Sequence, residues 1–168
     1  MSRILIVDDE KSIRVPLSTF LLAEGHEVEL AEDAAQAQAL LSNGVWDVVV
    51  TDIVLPGISG VELLKTIRAA APDVQVIMMT GEPTAETAAE AVRAGASDYL
   101  VKPVDKNAIL RAVAHAAKVK ALEDNRRHME ELVKDRIAAL EARNAQLVTE
   151  ITEHKRIVEE LRKLSQRE

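Results

Sequence analysis

Cysteine is absent from this sequence of 168 residues, and aromatic residues are rare, with one Trp, one Tyr and one Phe. The lack of cysteine excludes a disulfide scaffold, a thiolate metal site and a cysteine nucleophile. The 4 histidines are scattered along the chain, which argues against a His-rich metal centre. With so few aromatic rings, the core has to be built from the aliphatic side chains of Val, Ile, Leu and Ala.

Two further absences narrow the class of protein. No apolar run approaches the roughly 18 residues of a membrane span, and the first residues lack the layout of a signal peptide. We therefore expect a cytoplasmic protein that does not contact a membrane. The formal charge of −7 argues against a nucleic-acid-binding surface in this chain.

Helix-breaking residues and charge divide the chain into two parts. All 6 Gly and all 5 Pro lie before residue 106, whereas residues 121–168 contain 10 basic and 11 acidic side chains. A charged stretch without helix breakers predicts one long helix. We predict a globular domain over residues 1–120 and a helical coiled-coil extension over residues 121–168.

Short apolar runs alternate with helix-like stretches in the first part. A run that is apolar on both faces is typical of a strand buried in a parallel sheet. Repeated alternation of strand and helix predicts an α/β fold, a doubly wound five-stranded parallel sheet with helices on both faces. The predicted helices are Lys11–Glu24, Ala34–Asn43, Gly60–Ala70, Thr84–Ala94 and a fifth that begins at Lys106.

Polar side chains follow four of the five predicted strands. Asp8 and Asp9 follow the first strand, Asp52 the third, Thr80 the fourth and Lys102 the fifth. Ligands bind beyond the carboxyl ends of the strands in such sheets, so we expect these side chains to lie together. Three close carboxylates need a compensating cation, and oxygen ligands without His or Cys suit Mg²⁺. A phosphoryl group could be accepted there by an aspartate nucleophile.

Other phosphate chemistries fit the sequence poorly. It contains no P-loop, no dinucleotide-binding fingerprint and no nucleophile elbow. Hydrolases of the haloacid-dehalogenase type place a second Asp two positions after the nucleophile, and Val54 occupies that position here. The site is therefore predicted to accept a phosphoryl group rather than to turn over a substrate. A slow phosphatase stays open as an alternative.

Residues 1 to about 120 resemble the receiver domain of bacterial two-component response regulators. The resemblance lies in the segments ILIVDDE (4–10), DVVVTDIVLPG (47–57), IMMTG (77–81) and GASDYLVKP (95–103). It implies a flavodoxin-like sheet with strand order 2-1-3-4-5. It also implies a histidine kinase as the phosphodonor, and a domain that is not an enzyme beyond catalysing its own phosphorylation and dephosphorylation.

The resemblance implies a role for each residue of the site. Asp52 is the implied phosphoacceptor, and Lys102 is implied to pair with the phosphoryl oxygens. Asp9, Asp52 and the backbone carbonyl of Val54 are the implied direct Mg²⁺ ligands. Asp8 is implied to act on the metal through water.

Two more residues are implied to move when the domain is phosphorylated. Thr80 is the implied switch hydroxyl, which would bond to the phosphoryl group. Tyr99 is the implied switch aromatic, which would rotate inward, although an ordinary half-buried strand aromatic is an equally open interpretation. The resemblance also predicts a cis peptide bond between Lys102 and Pro103, a form that only an X-Pro bond adopts at low cost.

The second part of the chain contains a heptad repeat. With Ile137 at position a, β-branched residues and one Asn occupy a and mostly Leu occupies d, which favours a parallel two-stranded coiled coil. An extra four residues between Val133 and Ile137 form a stutter. We predict a homodimer through residues 122–164, with an isolated charged helix or a disordered tail as alternatives. The predicted seam is Ile137, Leu140, Asn144, Leu147, Ile151, His154, Val158 and Leu161.

Together these features predict a phosphorylation switch. Phosphorylation of Asp52 would be transmitted through the fifth helix into the coiled coil. The alternative is a dimerisation scaffold of receiver fold that does not switch. The segment 153–161 is also similar to runs that precede sensor, kinase or cyclase modules, so we expect an output module beyond this chain.

Overall fold

The structure is a computed structural model that describes residues 1–165. These residues form one five-stranded parallel sheet in the order β2-β1-β3-β4-β5, which confirms the predicted doubly wound fold. The elements, in chain order, are β1 (Arg3–Val7), α1 (Lys11–Ala23), β2 (Glu27–Ala31), α2 (Ala34–Ser42), β3 (Val48–Asp52), α3 (Gly60–Ala70), β4 (Gln75–Thr80), α4 (Ala85–Ala94), β5 (Asp98–Val101) and α5 (Lys106–Ser165).

The core consists of two aliphatic layers, one on each face of the sheet. Strands β3 and β4 are buried along their whole length, because helices cover both faces. Alternate residues of the strands point to opposite faces, so Val49 packs in one layer and Val50 in the other. Helices α2, α3 and α4 contribute to the first layer, and α1 and α5 to the second. The predicted aliphatic core is confirmed.

Capping residues explain why the helix ends differ from the prediction by one residue. Thr84 was predicted as the first residue of α4 but is its N-cap, with its hydroxyl accepting a hydrogen bond from the backbone N–H of Thr87. Glu24 and Asn43 were predicted to end α1 and α2, and each is instead the C-cap. Residues at caps have non-helical backbone angles, so a sequence pattern places helix ends only to within a residue or two.

The chain divides into two compact units, Met1–Asp124 and Asn125–Glu168. In the first unit, α5 buries Ile109, Ala112, Val113, Ala116 and Lys120 against the rest of the domain. In the second unit, residues 125–165 are helical and their side chains are exposed, including the predicted heptad seam. No helix within the described residues 1–165 is both long and apolar enough to cross a membrane.

Candidate functional site

The carboxyl ends of the central strands bring the predicted polar side chains to one edge of the sheet. Asp52 is paired in register with Met79, one residue before Thr80, and Thr80 is paired with Val101, one residue before Lys102. The parallel register therefore places the ends of β3, β4 and β5 side by side. The N–H of Lys102 donates to the carbonyl of Thr80 at 2.7 Å, which extends this pairing past the end of β5.

Lys102 joins two of the predicted carboxylates. Its Nζ lies 2.5 Å from Oδ2 of Asp52 and 2.7 Å from Oδ2 of Asp8. Both aspartates are buried, with 6% of Asp52 and 0% of Asp8 exposed. The contact with Asp52 is a hydrogen bond, whereas the contact with Asp8 is an ion pair without hydrogen-bond geometry. Among the described residues, Oδ2 of Asp8 is therefore a buried oxygen that has an ion pair but no hydrogen bond.

Burial perturbs the protonation of this cluster. Burial raises the pKa of Asp8 above its ordinary value, and contacts with Lys102 and the N–H of Glu10 offset this only in part. Burial acts to lower the pKa of Lys102, but its contacts with the carboxylates of Asp52 and Asp8 outweigh the effect of burial, so that pKa is raised. The ammonium that the two carboxylates share therefore stays charged. It does not fully compensate the cost of burying the negative charge of Asp8.

The turn after β1 supplies two exposed carboxylates beside the buried one. One oxygen each of Asp8, Asp9 and Glu10 lies within 4.8 Å of the others. These hard oxygen donors, together with the buried Oδ2 of Asp8, which contacts the Lys102 ammonium but receives no hydrogen bond within residues 1–165, fit a Mg²⁺ ion, which binds one or two carboxylates and keeps several waters. Glu10 also lies 3.6 Å from Lys102 Nζ, and sequence reasoning missed it, although it directly follows the Asp pair.

A hydrogen bond connects Asp52 to the backbone of Val54 in the loop after β3. Oδ1 of Asp52 accepts a hydrogen bond from the N–H of Val54 at 3.2 Å, while Oδ2 faces Lys102. The two carboxylate oxygens therefore have different donors. Asp52 is outside the close group of the three carboxylates that follow β1, and the Val54 side chain is exposed.

A close backbone contact holds Asp52 from the side of α3. The N–H of Gly60 donates to the carbonyl of Ile53 at 2.8 Å. A Cβ atom added to Gly60 would lie 1.9 Å from the carbonyl oxygen of Asp52, so only glycine allows this approach. Sequence reasoning assigned Gly60 to the start of α3 but gave no indication of this contact.

The two predicted switch residues are held by neighbours other than the carboxylates. Oγ1 of Thr80 accepts a hydrogen bond from the N–H of Glu82 at 3.1 Å. The half-buried Tyr99 shares a hydrogen bond with the hydroxyl of Thr87 at 2.9 Å. Among the described residues, neither hydroxyl is bonded to Asp52 or to the other. The peptide bond between Lys102 and Pro103 is cis, as predicted.

The domain is an α/β domain with a lysine and a carboxylate cluster at the carboxyl edge of a 2-1-3-4-5 sheet. Comparison with known families matches residues 4–114 to the response regulator receiver domain. The chain therefore belongs to the response regulator receiver domain family.

Individual relatives agree with this assignment. The chain is 38% identical over 116 residues to the response regulator protein FleR of Pseudomonas aeruginosa, covering 69% of this chain and 24% of FleR. It thus spans about a quarter of the length of that relative. A CheY-like receiver domain protein from Methanospirillum hungatei is similar in structure, with a TM-score of 0.70, 33% identity and coverage of 73% of this chain and 98% of that one.

A third similar structure is that of a beryllofluoride-activated NtrC4 receiver domain dimer. Its TM-score is 0.69 at 33% identity, and the match covers 71% of this chain and 99% of that one. All three relatives are at least 33% identical to this chain over 69–73% of its length, an identity that indicates common descent rather than a shared fold alone.

Proposed function

We propose that this chain is a two-component receiver that accepts a phosphoryl group from a histidine kinase on Asp52, with Mg²⁺ bound at the site. The observation that carries this proposal is the position of the Lys102 ammonium, 2.5 Å from Asp52 and 2.7 Å from Asp8. A buried carboxylate with a cation beside it can bind an incoming phosphoryl group and balance its charge. In this proposal, residues 1–120 are the receiver and act in the cytoplasm.

The metal would be held by Asp9, Asp52 and the backbone carbonyl of Val54, with Asp8 acting through water. When bound, Mg²⁺ supplies positive charge to the phosphoryl oxygens. The buried Oδ2 of Asp8 supports this assignment, because in the part of the chain that the structure describes it contacts the Lys102 ammonium but receives no hydrogen bond. The exposed carboxylates of Asp9 and Glu10 open this side of the site to water.

In the proposed reaction, a carboxylate oxygen of Asp52 forms a bond to phosphorus. The bond between phosphorus and the imidazole nitrogen of the kinase breaks, and its electron pair stays on that nitrogen. Lys102 exchanges part of its contact with Asp52 for the phosphoryl oxygens, with which an ammonium forms strong charge-assisted hydrogen bonds. The chain acts here as the acceptor of the group and not as an enzyme with a separate substrate.

The added phosphoryl group would also recruit the switch residues. It brings about −1.5 to −2 charges and three acceptor oxygens. Thr80 accepts a hydrogen bond from Glu82, and within residues 1–165 its hydroxyl donates none, so its proton is available to the phosphoryl group. For Tyr99 to rotate inward, its hydrogen bond with Thr87 has to break. We propose that these two movements alter the surface near α4 and β5.

The output of the switch is proposed to be a parallel coiled coil of two copies formed by residues 122–164. The apolar residues of the predicted seam are exposed in the single chain, and an amphipathic helix leaves this face open to water unless a partner covers it. In the proposed register, Arg136 lies opposite Glu141 of the second copy, and Glu150 opposite Lys155. Both pairs attract, which favours the parallel arrangement.

The proposal is tested by incubating the chain with acetyl phosphate and Mg²⁺ and measuring its intact mass. We expect a gain of one phosphoryl group that is absent in Asp52→Ala and retained in Asp135→Asn, an exposed control. No gain in the wild-type chain would favour the alternative of a scaffold that does not switch. Continuous phosphate release from an added phosphate monoester would instead favour a slow phosphatase.

A further inference from the structure

We propose that Arg14 is a positioning residue for the metal-binding turn formed by Asp8, Asp9 and Glu10. Arg14 lies in the first part of α1, directly after this turn, and only 6% of it is exposed. This inference rests on the proposed function, because it assigns to Arg14 the task of holding the proposed Mg²⁺ ligands in place. Sequence reasoning gave no role to this residue.

Two bonds from Arg14 hold the two ends of the turn. Its guanidinium Nη1 donates to the backbone carbonyl of Asp8, and its backbone N–H donates to the carbonyl of Glu10 at 3.1 Å. Within the turn, the N–H of Glu10 donates to Oδ1 of Asp8 at 2.9 Å. The backbone between the two carbonyls is therefore fixed by one side chain and one helical N–H of the same residue.

The position of the Asp9 carboxylate depends on the backbone of this turn more than the positions of the Asp8 and Glu10 carboxylates do. Its carboxylate is exposed, and within residues 1–165 its side chain has no hydrogen bond or ion pair. Asp8 is held by Lys102, and Glu10 lies near the same ammonium. The direction of the Asp9 carboxylate is consequently set by the backbone of the turn, and Arg14 holds that backbone.

The burial of Arg14 is not explained by an ion pair. Its Nη2 lies 3.4 Å from an oxygen of Glu32, but the side chain of Glu32 is 73% exposed. A buried guanidinium is unfavourable unless its donors are satisfied, and an exposed carboxylate at this distance compensates it only weakly. The carbonyl of Asp8 is the buried partner, so the guanidinium is placed for the turn rather than for Glu32.

The sign of the effect on Mg²⁺ affinity separates positioning from simple electrostatics. A cation near a metal site repels the metal, so electrostatics alone predicts that the neutral variants Arg14→Met and Arg14→Gln bind Mg²⁺ more tightly. Positioning predicts weaker binding, since residues that orient metal ligands typically change affinity by about 10- to 100-fold when replaced. Mg²⁺ affinity is measured by isothermal titration calorimetry on the full chain.

We expect the dissociation constant for Mg²⁺ to rise by about 10-fold in Arg14→Met. Arg14→Lys keeps a charged donor and should lie between Arg14→Met and the wild type. Glu32→Gln is the matched control, because it removes the ion pair and leaves the bond to Asp8, so its affinity should equal that of the wild type. An Arg14→Met variant that binds Mg²⁺ as tightly as the wild type, or more tightly, would overturn the inference.

A second measurement reports on the turn without depending on the metal. The backbone N–H of Glu10 should exchange with solvent faster in Arg14→Lys and Arg14→Gln than in the wild type, and unchanged in Glu32→Gln. Unchanged exchange in both Arg14 variants would also overturn the inference, even if Arg14→Met fails to fold. If the wild-type chain itself binds no Mg²⁺, the proposed function fails, whereas equal binding by wild type and folded Arg14 variants removes only the role of Arg14.

Discussion

The Lys102 ammonium lies 2.5 Å from Oδ2 of Asp52, although the two residues are 50 positions apart in the sequence. Both side chains are largely buried, and the register of β3, β4 and β5 brings them together. The same ammonium also contacts Asp8. One positive charge therefore compensates two buried negative charges.

Removing the ammonium should destabilise the metal-free domain. In Lys102→Met, two buried carboxylates lose their common cation, and the loss of one partner of a buried ion pair costs about 3–5 kcal/mol. Urea unfolding without metal should show this decrease in the free energy of unfolding. Added Mg²⁺ should recover part of it, and a Lys102→Met domain as stable as the wild type would contradict the expected role of the ammonium.

Replacing Asp8 should have the opposite effect. Burial raises the pKa of Asp8 above its ordinary 3.8, so the ionised form is unfavourable in the folded chain. We expect Asp8→Asn to be more stable than the wild type at neutral pH without metal, and to bind Mg²⁺ more weakly. The free energy of unfolding and the Mg²⁺ dissociation constant, measured for both proteins, check the two parts of this prediction.

The stability difference between Asp8→Asn and the wild type should depend on pH in a defined direction. Because the folded-state pKa is raised, protonation of Asp8 adds stability as the pH falls through that pKa, and the gain is complete below the ordinary value of 3.8. The advantage of Asp8→Asn should therefore be largest near neutral pH and shrink on acidification. A stability advantage of Asp8→Asn that grows as the pH falls would show that the pKa of Asp8 is not raised in the folded chain.

Gly60 should not tolerate a side chain. A Cβ there would lie 1.9 Å from the carbonyl oxygen of Asp52, so Gly60→Ala has to displace backbone at the end of β3. We expect a loss of about 1–3 kcal/mol in the free energy of unfolding, in the range of overpacked cores, together with slower phosphorylation. Gly81→Ala is the control for stability, because a Cβ there would meet no atom of residues 1–165 within 4 Å.

The coiled-coil proposal predicts that a charged residue abolishes dimerisation at one position of the tail and has no effect at the next position. Ile151 belongs to the predicted seam, whereas Thr152 lies outside it, and both are exposed in the single chain. Sedimentation equilibrium should show a dimer for the wild type and Thr152→Asp, and a monomer for Ile151→Asp. Equal dimerisation of both variants, or a monomeric wild type, would exclude this seam.

Much of the fold could be predicted because it depends on local patterns. Apolar runs such as Val48–Val50 identify buried strands, and the order of strands followed from the family resemblance. The polar residues at the strand ends were predicted to lie together because parallel strands end at the same edge, and Lys102 and Asp52 do so. The predicted helix ends differ from the observed ones by at most one residue. A residue type such as Thr84 indicates that a cap is near, but it does not show whether that residue is the cap or the first residue of the helix.

The features that sequence reasoning missed depend on side-chain conformation and on how neighbouring parts of the chain pack, and neither follows from residue type. The closeness of Gly60 to the Asp52 carbonyl follows from how α3 packs after β3. The bond from Arg14 to the carbonyl of Asp8 depends on a side-chain conformation within the buried face of α1. An arginine or a glycine in a helix has many roles, and the sequence alone does not distinguish among them.

Chemical reduction of the modified chain identifies whether Asp52 carries the phosphoryl group. Borohydride reduces an aspartyl phosphate to homoserine, so the chain is treated with acetyl phosphate and Mg²⁺, reduced, and its peptides are sequenced by mass spectrometry. We expect homoserine at position 52 only in the sample that received the phosphodonor. Unmodified Asp52, or homoserine at Asp8 or Asp9 instead, would contradict this expectation.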